Sequence, residues 1–219
     1  FDRAFIPPLA ITNQEKVKPS KKAMKILKQE WETFKAKYYD SNPKDPKWKE
    51  DFDRIENQIQ EAAKIVKSGT KLMSAHEALE EIRIITLELR KRNKIDYFLD
   101  PMTEFHTLME QIFHTGTDNS PEDLEKGMID DLKEAVAEAQ ALWKKIGEYP
   151  FDKDLYGFSD AMVAQMKGLH KAETAALANV NKAIESGDKK AIIKAAKGVK
   201  SNYAKLYKMF GDFDRLKKS

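Results

Sequence analysis

From residue 20 onward, apolar residues recur every three or four positions along nearly the whole chain. Met24, Leu27, Trp31, Phe34 and Tyr38 fall on one face of a helix, and Pro43 and Pro46 then interrupt it. A second helix carries Trp48, Phe52, Ile55, Ile59, Ala62 and Val66 in the same rhythm. Ser68 and Gly69 stop it, because glycine accepts the left-handed conformation that ends helices. A third runs through Leu72, Ala75, Leu79, Ile82 and Leu89 to Asn93, with a capping-box pattern at Ser74 and Glu77 that would start it as late as Ala75. Asp100 and Pro101 read as the N-cap and first position of a fourth, which presents Met102, Phe105, Met109, Ile112 and Phe113. Ser120 is the expected cap of a fifth, with Met128, Leu132, Ala135, Ala139, Leu142 and Ile146 inward, ended by Tyr149 and Pro150. The sixth shows Val163, Met166, Leu177, Val180 and Ile184 and closes at Ser186 and Gly187. Asp188 caps a seventh, with Ile192, Ala195, Val199, Tyr203, Leu206 and Phe210 inward.

No segment alternates with the period of two that a strand needs. The expectation is an all-α fold of about seven amphipathic helices in one or two antiparallel helical bundles. Residues 1–19, with Pro7 and Pro8 and no helical period, read as an extended N-terminal arm packed through Phe5 and Ile6. Residues 20–116 read as a four-helix bundle, and 117–219 as a three-helix unit completing a second one. The small polar run at 116–120 is the expected boundary.

Two stretches echo one another. Ile65-Val66-Lys67-Ser68-Gly69-Thr70-Lys71 recurs as Ala183-Ile184-Glu185-Ser186-Gly187-Asp188-Lys189, each joining two long helices. The echo suggests duplication of a helical unit, although similar helix ends also arise by chance. The second stretch, with Ala195, Ala196, Val199 and Phe210 after it, resembles the end of the cytochrome c prime family, four-helix-bundle haem proteins of bacterial periplasms. In that family the Gly-Asp turn leads into a helix holding Cys-x-x-Cys-His. The matching positions here are Tyr203, Leu206 and Tyr207, so every haem-attaching residue is absent. The resemblance implies a bundle of that type in a periplasmic location and without covalent haem, and the echo would make it a duplicated unit.

Composition narrows the function classes. The 219 residues are 34% charged and 41% hydrophobic, which suits a chain able to bury a real core. The net charge of +3 comes from 39 basic and 36 acidic residues interspersed along most helices, and aromatics do not interleave with basic clusters. That pattern argues against nucleic acid as a partner. No stretch approaches the roughly 20 apolar residues of a membrane span. There is no cysteine, which removes disulfides, thiolate metal sites and thiol nucleophiles together. Without a Gly-rich phosphate loop or a nucleophile elbow, the expectation is a protein that is not an enzyme.

Histidines and carboxylates supply the candidate chemistry. His76 and Glu80 are four apart and share a helix face, and His106 and Glu110 repeat that spacing with Met109 beside them. Such pairs on facing helices are how bundles hold copper, iron or zinc, so these five residues are the candidate metal site. A simple hairpin turning at 94–100 opposes the idea. At 1.5 Å per residue it leaves His76 roughly 25 Å from the turn and His106 only about 8 Å from it. A shared site therefore needs the linker to travel back along the bundle, or two chains. The bland alternative is an ion-pair network of Glu80, Arg83 and Glu110 in a structural or protein-interaction module. His170, with Met162 and Met166 before it and Glu173 one turn on, is a weaker candidate for non-covalent haem. Arg83 and Arg90 belong to the densest basic cluster, next to Tyr97 and Phe98, and are candidates for a small anion or an acidic partner.

Overall fold

The computed structural model describes residues 1–217, which contain helices and no strand. The chain divides into two compact units, Phe1–Tyr97 with the segment from Phe210, and Phe98–Met209. The expected all-α fold is what the described residues adopt.

In the first unit the helices are α1 (Asp2–Thr12), α2 (Val17–Tyr38), α3 (Trp48–Ser68) and α4 (Leu72–Arg92). They pack in a ring, α1 on α2, α2 on α3, α3 on α4 and α4 back on α1. The arm expected to be extended is thus a helix despite Pro7 and Pro8. A proline inside a helix removes an N–H and strands the carbonyl four residues earlier. For Pro7 that carbonyl belongs to Arg3, and it accepts the Asp212 N–H at 2.8 Å instead. The C-terminal segment therefore repairs the bond that hid the helix from a pattern-based reading. Phe5 and Ile6 are buried as expected, at 2% and 0% exposure.

The loop between α2 and α3 is tied to the end of α4. The Arg92 guanidinium donates to both oxygens of Asp45 at 3.0 and 2.9 Å, Asn93 donates to the same carboxylate at 2.7 Å, and Arg92 also reaches Asp51. Chiefly through Arg92, the Asp45 carboxyl is held down at about 2. α4 itself starts at Leu72 rather than Ala75. The Ser74–Glu77 box is not what caps it, and Lys71 before it is left-handed at φ 54°.

The second unit contains α5 (Leu99–Thr117), α6 (Lys126–Glu148), the single turn α7 (Lys153–Tyr156), α8 (Asp160–Ser186), α9 (Lys189–Lys197) and α10 (Lys200–Lys208). α9 and α10 are the seventh expected helix, broken near Gly198. The ring closes in the same order: α5 on α6, α6 on α8, α8 on α9 and α10, and these on α5. Asp188 caps α9 as expected, accepting from the N–H groups of Lys190 and Ala191. Ser120 does not cap α6, which begins at Lys126; its hydroxyl and N–H bond Asp123 instead. Asp100 lies inside the first turn of α5 rather than before it.

The boundary between units falls at Tyr97 and Phe98, not at 116–120. Because α1 is a helix, it supplies the fourth side of the first ring, and α5 opens the second. Gly116, expected in a linker, sits in α5 against α9. A Cβ there would lie 2.9 Å from the Lys197 nitrogen and 3.0 Å from the Ile193 carbonyl oxygen. Both obstacles are backbone, so the helices must part. Gly116→Ala should lower stability by about 1–3 kcal/mol, even though alanine favours an isolated helix. An unchanged denaturation midpoint in guanidinium would refute the close approach.

Candidate functional site

In the first unit His76, Glu80 and Arg83 form one polar cluster on α4. The His76 Nδ1–H donates to the Leu9 carbonyl at 3.0 Å, which leaves Nε2 as acceptor for the Asn13 amide at 3.3 Å. Glu80 lies 3.5 Å from Nε2 and 2.7 Å from the Arg83 guanidinium. Both imidazole nitrogens are engaged by the α1 region, so no lone pair is offered to a metal. Arg83 is only 3% exposed, which makes it part of the core rather than a surface for an anion or partner.

In the second unit His106 and Glu110 pair at 3.2 Å on α5. The Lys200 ammonium from α10 meets the same carboxylate at 2.8 Å, and His114 approaches it at 3.5 Å. Burial opposes the Glu110 charge, but His106 and Lys200 outweigh it and hold the carboxyl at about 2. Met109 is fully buried, whereas the side chains of His106 and Glu110 keep about a fifth of their surface. It points to the core and does not join them. The five residues of the candidate metal site are thus divided between the units. Among the described residues no group of three or more histidine and carboxylate side chains is arranged to hold a metal ion.

Cavities lie elsewhere. One in the first unit, of about 340 Å³, is lined by Trp31, Phe34, Trp48, Phe52, Arg90 and Tyr97 among others. Its rings pack on one another, with centroids 5.3 Å apart for Trp48 and Phe52, 5.5 Å for Trp31 and Phe52, and 5.9 Å for Phe34 and Phe52. The Arg90 guanidinium lies 4.5 Å from the centre of the Tyr97 ring, and the Tyr97 hydroxyl donates to Asp2. The Trp48 indole N–H donates to the Tyr38 carbonyl at 2.9 Å. That of Trp31, in a side chain 3% exposed, has no hydrogen-bond partner among the described residues. Periodicity showed these aromatics as one core-facing stripe, and only their concentration at one end of α2 and α3 hinted that the stripe also bounds a space.

The second unit holds a cavity of about 360 Å³ lined by Phe98, Tyr149, Phe151, Met166, His170 and Leu206 among others. A second, of about 490 Å³, shares Gly147 and His170 with it. Met166 and His170, singled out for haem, do reach one cavity, whereas the Nε2 of His170 is committed to the Trp143 carbonyl at 2.8 Å.

Glu173 is the group whose environment the sequence did not reveal. It is fully buried in α8, and neither carboxylate oxygen closes a hydrogen bond among the described residues. Burial drives its carboxyl up to about 8, against a weaker pull from the nearby Asn202 amide and Tyr203 N–H. Its register gave the signal: Glu173 stands 14 residues before Gly187, as the core residue Ile55 stands 14 before Gly69.

The fold and the cavities define an all-α protein of two helical units with apolar, aromatic-lined pockets. No protein-family model, curated protein or solved structure matches the chain.

Proposed function

We propose that this chain is a non-enzymatic small-molecule-binding protein built from two copies of one four-helix unit, with the aromatic cavity of the first unit as its ligand site. The observation that carries the reading is that cavity: about 340 Å³ walled by indole and phenyl rings, beside a buried indole N–H that has no hydrogen-bond partner among the described residues. Its volume lies in the range of small-molecule sites, which are mostly apolar with a few polar groups that orient the ligand. Arg90 and Tyr97 supply those groups at the edge. The ligand class that fits is a compact aromatic molecule with one polar or anionic end.

The duplication is supported by register. The buried positions Ser20, Ala23, Met24, Leu27 and Trp31 of α2 recur with the same spacing on α6 as Leu132, Ala135, Val136, Ala139 and Trp143, to which α6 adds Ile146. Gly69 and Gly187 both end their helices in the left-handed region, at φ 77° and 69°. Counting back from those glycines, Phe52 corresponds to His170, and both line cavities.

Titration with anilinonaphthalene sulfonate, an apolar aromatic with one anionic group, tests the ligand site. Saturable binding with energy transfer from tryptophan is expected, weakened about tenfold by Arg90→Ala or Phe34→Ala. Absence of saturable binding, or equal binding by both variants, would remove this reading. Stoichiometric copper, iron or zinc uptake lost in His76→Ala and His106→Ala, without probe binding, would put the metal reading in its place.

A further inference from the structure

The geometry points to a second ligand site in the other unit, at His170, that takes an aromatic carboxylic acid bearing a phenolic hydroxyl. This goes beyond the first unit's cavity and does not depend on it. His170 on α8 and Trp143 on α6 are locked together by reciprocal bonds. The indole N–H donates to the His170 carbonyl at 3.0 Å, and the imidazole Nε2 meets the Trp143 carbonyl at 2.8 Å. A carbonyl can only accept, so Nε2 carries a proton, and in the tautomer this bond selects the lone pair lies on Nδ1. The two rings stack at 4.9 Å with 8° between their planes. Beneath them Gly147 leaves no room for a Cβ, which would fall 2.5 Å from the His170 Cε1. The imidazole is therefore preorganised by three independent restraints.

Nothing among the described residues bonds Nδ1, while the ring lines two cavities. The lone pair on Nδ1 can accept from a ligand hydroxyl that takes the place of water there. Phe98, Tyr149 and Phe151 form an aromatic wall, with centroids 5.4 Å apart for the first and second and 4.9 Å for the first and third. Such a wall favours a flat, unsaturated ligand body. Two ammonium groups reach the same cavity. Lys153 is paired with Asp160, whereas Lys167 forms no ion pair among the described residues and suits a carboxylate. A hydroxyl donor, an aromatic body and a carboxylate together describe a hydroxyaryl carboxylic acid, for which 4-hydroxycinnamate serves as the probe.

The test uses the full chain with Trp31→Phe and Trp48→Phe, so that Trp143, stacked on His170, is the sole reporter and binding in the first unit is silent. Titration with 4-hydroxycinnamate should quench Trp143 saturably. Lys167→Ala should weaken binding at least about tenfold while leaving the neutral amide of the same acid unaffected. Gly147→Ala, which must displace the imidazole, should abolish binding with the helical circular dichroism retained. Should the tryptophan replacements unfold the chain, calorimetry on the natural protein and on Lys167→Ala reads the same ratio. Absence of saturable quenching, or equal affinity in Lys167→Ala and Gly147→Ala, overturns the proposal, whatever anilinonaphthalene sulfonate does in the first unit.

Discussion

Glu173→Gln is expected to stabilise the protein by about 3 kcal/mol at pH 7 and by almost nothing at pH 4. The carboxyl of Glu173 ionises near 8 in the folded protein, against 4.5 in an ordinary setting. Between those values the unfolded chain releases a proton that the folded chain keeps, so stability declines as pH rises from 4.5 to 8. Below 4.5 both states are protonated and the contribution is level. Glutamine has the shape of the protonated acid and no charge to form, so it removes the pH-dependent loss. Guanidinium unfolding from pH 4 to 8 should show a sloping natural protein and a flatter variant. Parallel curves would mean that Glu173 has its charge satisfied in the fold.

The opposite slope is expected from Glu110. His106 and Lys200 hold its carboxyl near 2, so the folded state prefers the charged form. Its stabilisation is complete above 4.5 and disappears as pH falls from 4.5 toward 2. Allowing for solvent at a side chain 21% exposed, Glu110→Gln should lower stability by about 2 kcal/mol at pH 7, with the difference vanishing near pH 2. Acid unfolding followed by circular dichroism reads this directly, and equal acid midpoints would dismiss the ion pair. The two carboxylates thus bracket an interval near pH 4.5 where the second unit is most stable. Glu110→Gln should also leave anilinonaphthalene sulfonate binding unchanged, because Glu110 lines neither of the proposed sites.

The same local rules made some features readable and hid others. Seven helical stretches showed themselves because burial repeats with the helix period, and each stripe, from Met24–Tyr38 to Ile192–Phe210, reflects only its own segment. Gly69 and Gly187 were readable as stops for the same reason. α1 was hidden because Pro7 and Pro8 remove helix bonds, and its repair comes from Asp212, some 200 residues away in sequence. Missing α1 moved the expected boundary from 97–98 to 116–120 and gave α5 to the wrong bundle. The candidate metal site inherited that error, since it took His76 and His106 to be on helices of one bundle.

What the sequence determined by itself is the helical class, most of the inward face of each long helix (α6 also buries Val136 and Trp143, which the stripe did not include), and the absence of thiol chemistry. Those properties depend on residue type and spacing within one segment. Only the tertiary structure decided that His76 is occupied by Leu9 and Asn13, that Glu173 is buried without an ion pair among the described residues, and that His170 rests on Gly147 and Trp143. Each of these depends on which helix lies opposite and at what height. Periodicity along one helix carries no record of that, because the same apolar stripe packs equally well against several neighbours.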